Sequence, residues 1–299
     1  MGRLAAVLAL ATVLAAGCGS HSPPKTLSSS LTIDEMLKVP GPTVALTQGA
    51  GSFVPGNVRF PFLVITNDAR PVNRPTARVW IASGRDQKPF AEATAHLERI
   101  GVSGVSEPAA GGVTRIYVTH LQIPRPGRYW LVTQPAGKKI KGIGVFDVHA
   151  TLPVPKVGAR APRSRTPTLS DASVAALTTA QPPDRGLLRY SVAASLAAHK
   201  PFVVTFATPK YCTSRTCGPV VDVVDAVRRK LASSGVRFIH VEVYADNNVT
   251  KGYNVWMREW GLSTEPWTFL VGRDGRIVAE FEGSVSAGEL MNAVKSKLL

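Results

Sequence analysis

Cys212 and Cys217 stand in the run Phe206-Ala-Thr-Pro-Lys-Tyr-Cys212-Thr-Ser-Arg-Thr-Cys217-Gly-Pro-Val. Two thiols at this spacing can close a small disulfide ring, exchange disulfides through a thiolate, or hold a soft metal ion. The pair follows an apolar, strand-like run, Pro201–Phe206, and precedes an amphipathic helical pattern. A helix N-terminus at that junction would stabilise a thiolate. Lys210 and Arg215 flank Cys212. Nearby cations favour the ionised sulfur, although both also fit as plain loop charges.

The elements that must position this pair alternate along the C-terminal half. Ser191–Ala198 reads as a short helix and Pro201–Phe206 as a buried strand. Pro219–Ser233 reads as a helix with Val220, Val223, Val224, Val227 and Leu231 on one face. Asp222 and Asp225 fall early in it, Arg228, Arg229 and Lys230 late, and Gly235 ends it. Val236–Tyr244 is a second strand, followed by a helix over Tyr253–Trp260. Trp267–Val271 and Arg276–Phe281 are strands around the turn Gly272-Arg-Asp-Gly275, and Ser286–Leu299 is the last helix.

This β-α-β-α-β-β-α order, with cysteines after its first strand, resembles the thioredoxin fold, and more specifically its TlpA-type extracytoplasmic branch. Phe206-Ala-Thr-Pro-Lys-Tyr-Cys212 is similar to that family's strand end leading into the nucleophile, and Cys217-Gly-Pro to the start of its Cys-Gly-Pro-Cys. Glu265-Pro266-Trp-Thr-Phe-Leu-Val resembles the strand that begins with the family's cis-proline, and Val271-Gly-Arg-Asp-Gly-Arg-Ile-Val its last hairpin. The resemblance implies a thiol–disulfide oxidoreductase with Cys212, Cys217 and Pro266 at its site, working on protein or small-molecule disulfides with a redox partner and no cofactor or metal. It leaves two registers open. Either Cys212 attacks and Cys217 resolves across a wider Cys-X4-Cys loop, which the preceding segment favours, or Cys217 takes the first position of the motif and Val220 replaces the second cysteine. The chain also departs from thioredoxin in lacking the acid on the strand before the cysteines, where Thr205 stands.

Two other readings use the same residues. A non-catalytic interaction module would keep the pair as a permanent disulfide bracing the loop. A copper chaperone of the Sco type would need a histidine near the Trp267 strand. His240, inside Arg237-Phe-Ile-His-Val-Glu-Val, is the nearest candidate, and a histidine in a central strand is more often packed than ligating. A peroxiredoxin motif is not matched.

The N-terminal half reads differently. Arg3, the apolar run Leu4–Leu14 and Ala15-Ala16-Gly17-Cys18 describe a secretory signal over residues 1–17. The apolar run is shorter than the roughly 20 residues that span a bilayer. The cysteine after small residues resembles a bacterial lipobox, with Ala15 where leucine is usual. That resemblance implies lipidation at Cys18 and anchoring on the outer face of the cytoplasmic membrane. Of three cysteines it leaves one pair in a disulfide-permitting compartment. Residues 18–41 are expected to be a flexible tether. Residues 42–150 carry short β-like runs (Val58–Ile65, Arg78–Ile81, Val113–Thr119, Gly127–Val132 and Ile143–Val148) that predict an all-β sandwich. Pro126–Val132 resembles the start of a late strand of an immunoglobulin-like domain, although no cysteine supports the antibody-type bridge. His96, His120 and His149 lack metal-ligand spacing.

Residues 151–168, rich in Pro and Arg, predict an extended linker, and 169–299 the thioredoxin-like domain. A length of 299 residues is consistent with two domains. The net charge of +15 is partly local to Lys138, Lys139, Lys141, Lys156, Arg160, Arg163 and Arg165, which read as a solvated basic surface. Export and the absence of a basic-aromatic motif exclude nucleic acid as the expected partner.

Overall fold

The computed structural model describes residues 26–106, 113–212 and 216–299. Cys18, the leader before it and Arg215 lie outside the described residues. No helix among the described residues is long and apolar enough to cross a membrane.

The last part of the expected tether is folded. Helix α1 (Ile33–Lys38) starts at Thr32, whose hydroxyl accepts from the Glu35 N–H while the Glu35 carboxylate accepts from the Thr32 N–H. This capping box satisfies two otherwise orphaned amides. Ile33 and Met36 are buried with Leu27 against Trp80, Ala82 and Val132, and that apolar contact is what overrides a flexible reading.

Seven strands follow: β1 (Thr43–Gln48), β2 (Gly56–Ile65), β3 (Thr76–Ala82), β4 (Ala91–Arg99), β5 (Arg115–Ile123), β6 (Gly127–Pro135) and β7 (Lys141–Val148). They form a closed barrel in the order β1-β2-β5-β4-β3-β6-β7, not an immunoglobulin-like sandwich. Two pairings make the closure. β1 joins β7 in parallel through Thr43↔Lys141 to Ala45↔Ile143, and β4 pairs with both β3 and β5. Hydrogen bonds therefore run round the whole wall and leave no sheet edges of the kind a sandwich has. The interior is aromatic: Phe53, Phe60, Phe62, Tyr117, Tyr129 and Phe146 share one core. Lys141 is not part of a solvated basic face. It is 1% exposed, and its ammonium donates to the Val39 and Gly41 carbonyls. Burial pulls its pKa down.

The C-terminal part is α/β. It comprises α2 (Val174–Leu177), α3 (Val192–Ala197), β8 (Phe202–Phe206), α4 (Cys217–Lys230), β9 (Arg237–Val241), α5 (Val255–Glu259), β10 (Trp267–Val271), β11 (Ile277–Glu282) and α6 (Ala287–Lys297). The sheet order is β11-β10-β8-β9, with β9 parallel to β8 and β10 antiparallel to it. From β8 onward this is the β-α-β-α-β-β-α series expected from the sequence. β8 and β10 are buried at every residue, as central strands covered on both faces must be.

Within the segment 151–168, residues 158–161 bond the start of β11 and the turn before it. The N–H of Gly158 donates to the Ile277 carbonyl at 2.8 Å, that of Ile277 to Ala159 at 2.9 Å, and that of Ala161 to Gly275 at 2.9 Å. Trp260 Nε1 donates to Ser164 Oγ at 3.0 Å. The segment covers a sheet edge and is held by it.

The barrel meets the C-terminal part through β2 and the connections beside it. Arg59 makes a forked ion pair with Glu289, at 2.8 and 2.9 Å, and its Nη2 also reaches the Ser284 carbonyl at 2.8 Å. Glu282 accepts from the N–H groups of Gly51 (3.1 Å) and Ser52 (2.7 Å). Gly283 adopts φ +73°, and a Cβ there would come within 2.0 Å of the Gly49 carbonyl oxygen, so only glycine allows this approach. The β4–β5 connection touches α4: Ser106 Oγ donates to Asp222 Oδ2 at 2.6 Å.

Candidate functional site

The register of the C-terminal sheet assembles the site. Trp267 pairs with Phe206, so Pro266, one residue before β10, is level with the chain that leaves β8 toward Cys212. The Glu265–Pro266 peptide is cis. The loop from β8 to α4 is tied down at several points. The Cys212 N–H donates to the Thr208 carbonyl at 3.1 Å, and the Ala207 N–H to that of Val241 at 3.1 Å. The Lys210 N–H donates to Thr179 Oγ1 at 3.2 Å, and that hydroxyl in turn donates to Glu242 Oε1 at 2.7 Å.

Helix α4 begins at Cys217, two residues before the expected start at Pro219. Cys217 is therefore the first helical residue, and its N–H is one of the amides that the helix cannot satisfy internally. That N–H donates to Cys212 Sγ at 3.3 Å. Pro219, lacking an N–H, costs the first turn nothing. The structure thus brings Cys212, Cys217 and Pro266 into one place.

The two cysteines sit in unlike surroundings. Cys212 is partly exposed, whereas Cys217 is 0% exposed, packed among Val203, Ala207, Val220 and Val224. Burial pushes the Cys217 thiol far up, and its hydrogen bond to Cys212 and the charge of Cys212 push it the same way. Val102 from the barrel's β4–β5 connection packs against the same cluster. Lys210 places its ammonium over the Tyr211 ring at 5.2 Å from the centroid.

His240 is not available as a ligand. Its Nε2 is 3.0 Å from the Ala207 carbonyl and its Nδ1 3.3 Å from the Thr178 hydroxyl, so both ring nitrogens are engaged. Its bond to Ala207 supports the loop that carries Cys212. Among the described residues no cluster of three or more His, Cys, Asp or Glu side chains is placed to hold a metal. Thr205, at the position of the missing acid, is buried and bonded to Thr268 Oγ1 at 3.0 Å.

Sequence reasoning missed an acidic group here. Glu265, half-buried beside Pro266, accepts from Tyr253 OH at 2.8 Å. Burial pushes its carboxyl pKa up, the bond from Tyr253 opposes this, and the charge of Cys212 adds to the rise. It also missed a groove of 740 Å³ beside the cysteine loop, lined by Thr179, Gln181, Lys210, Tyr211, Gly218 and Asn247 among others. A glutamate next to a proline that marks the site was the one signal in the sequence that could have flagged the first. Nothing local marks the second.

No protein-family model and no curated protein sequence matches the chain. Among solved structures, a thioredoxin-family thiol:disulfide interchange protein from Chlorobium tepidum TLS is similar, at 21% identity and a TM-score of 0.29. The match covers 34% of this chain and 82% of that one.

Proposed function

We propose that the chain is a thiol–disulfide oxidoreductase acting on protein or small-molecule disulfides, anchored outside the cytoplasmic membrane. One observation carries the redox reading. A partly exposed sulfur, Cys212, receives the first N–H of α4, and a fully buried thiol, Cys217, lies behind it. The amide and the helix N-terminus favour a thiolate on Cys212. The elevated pKa of Cys217 keeps its proton in place until it is needed. This asymmetry supports the register in which Cys212 attacks and Cys217 resolves.

The chemistry follows from that assignment. The Cys212 thiolate attacks one sulfur of a substrate disulfide, the substrate S–S bond breaks, and the departing thiolate takes the electron pair. Cys217 then loses its proton and attacks the Cys212 sulfur of the mixed disulfide. A Cys212–Cys217 bond forms, the second substrate thiol leaves, and two electrons have passed from the dithiol to the substrate. A dithiol donor restores the pair, and the reverse sequence oxidises a substrate dithiol. The location rests on Arg3, Leu4–Leu14 and Cys18.

The test is a trapping assay on the full chain. Cys217→Ser should accumulate a mixed disulfide with a substrate protein, seen on non-reducing gels and lost on reduction, and Cys212→Ser should trap nothing. A pair that resists dithiothreitol in the folded protein and traps nothing in either variant would instead support a structural disulfide in an interaction module.

A further inference from the structure

Resolution of a mixed disulfide requires the buried Cys217 thiol to lose its proton, and β8 offers no acid for this. Among the described residues, an acid whose charge reaches Cys217 comes from the turn before β10. Glu265 immediately precedes Pro266, and the Trp267↔Phe206 pairing holds this turn beside the end of β8. The Tyr253 hydroxyl fixes Glu265 Oε2 at 2.8 Å. The Tyr253 ring stacks on Tyr244 at 5.4 Å, and Tyr244 meets the Tyr211 ring edge-on at 6.1 Å. Tyr211 is the residue before Cys212. A chain of ring contacts thus connects the carboxylate's partner to the cysteine loop.

We propose that Glu265 accepts the Cys217 proton during resolution, with Tyr253 as the positioning residue that orients its carboxylate. The inference rests on the thiol–disulfide reading above. In the step, the Cys217 S–H bond breaks and the proton passes to Glu265, directly or through one water. The Cys217 thiolate attacks the Cys212 sulfur, the Cys212–Cys217 bond forms, and the substrate thiolate leaves with its electron pair. The protonated Glu265 can then return the proton to that leaving sulfur. The groups facing Glu265 agree with this role: Cys212 from the loop, Cys217 from α4, and Tyr244 and Tyr253 from the stretch between β9 and α5. The charge of Cys212 raises the Glu265 carboxyl, and the charge of Glu265 adds to the rise of the Cys217 thiol. A carboxyl raised from its usual range by burial is a better match to a proton transfer near neutral pH than an exposed one.

The experiment is single-turnover reaction of the reduced full chain with dithiobis-nitrobenzoate. Attack by Cys212 releases one thionitrobenzoate, and resolution by Cys217 releases the second. In the wild type the second phase should rise with pH through the Glu265 carboxyl. Glu265→Gln, which keeps a hydrogen-bond acceptor for Tyr253, should slow the second phase about 100-fold near neutral pH, remove that limb, and leave the first phase within about threefold. Glu265→Asp should restore part of the rate, and Tyr253→Phe should move the limb without abolishing it. A second phase in Glu265→Gln with the wild-type rate and pH profile would overturn the proposal while leaving the redox reading intact. A wild type that never releases the second thiol would overturn the redox reading and this proposal with it.

Discussion

The side chains of Cys212 and Cys217 are chemically identical, and the fold treats them oppositely. Cys212 keeps solvent access at the N-terminus of α4, whereas Cys217 is enclosed by valines and Ala207. Reactivity follows the thiolate, not the thiol. Brief alkylation of the reduced, folded protein should therefore label Cys212 and spare Cys217 until the chain is unfolded, as read by peptide mass spectrometry. Preferential labelling of Cys217 would reverse the assignment of nucleophile and resolver. The spacing alone left both registers open, because it does not say which sulfur the helix buries. α4 starts at Cys217 rather than Pro219, and that residue faces the core with Val220 and Val224, which supports the register proposed above.

Among the elements, the β8–α4 loop depends on neighbours remote in sequence. Thr179 carries the Lys210 N–H on its hydroxyl and bonds Glu242 with the same group. Thr179→Val keeps the volume and removes both bonds. It should destabilise the protein by about 1–3 kcal/mol, with faster amide exchange across 207–212 and little change elsewhere. Equal exchange in that loop would show that the tie does not hold it. The elements of the C-terminal part were legible because their apolar residues repeat at helical or strand periods. Trp267–Val271 was bounded as it is observed, and the neighbouring strands to within a few residues. In the barrel, β4 was not read at all. Ala91-Glu-Ala-Thr-Ala-His-Leu-Glu-Arg alternates at period two, but its inward positions are mostly alanines, which are poor strand formers, and they gain their apolar surroundings from the neighbouring strands. β1 and α1 were passed over for a similar reason: each is short and gains its apolar surroundings from strands elsewhere in the chain.

At the scale of the whole molecule, the barrel and the C-terminal part are joined by more than the 151–168 segment. Arg59 and Glu289 are 12% and 18% exposed and joined by two parallel bonds, and Glu289 also caps α6. Removing one partner of such a pair leaves the other charge partly buried and uncompensated, a cost of about 3 kcal/mol. Arg59→Ala should accordingly split one calorimetric transition into two and expose the 151–168 segment to proteolysis. A single transition at the wild-type temperature would show that the Arg59–Glu289 pair does not couple the two parts. The coupling bears on the site because Ser106 and Val102, both from the barrel, reach α4 and the cluster around Cys217.

By itself, the sequence determined the alternation of strands and helices after residue 190 and the placing of two cysteines at a strand-to-helix junction near a proline. These are local properties, carried by periodicity and by residues adjacent in the chain. Turn density and alternation also determined that residues 42–150 are β, but not how the strands join. A sandwich and a barrel bury the same face of each strand, and the difference lies in pairings such as Thr43 with Lys141, almost a hundred positions apart. The tertiary structure likewise decided which sulfur is buried and put Glu265 in the company of the cysteines, because burial and electrostatic field depend on what is packed nearby rather than on what precedes in the chain.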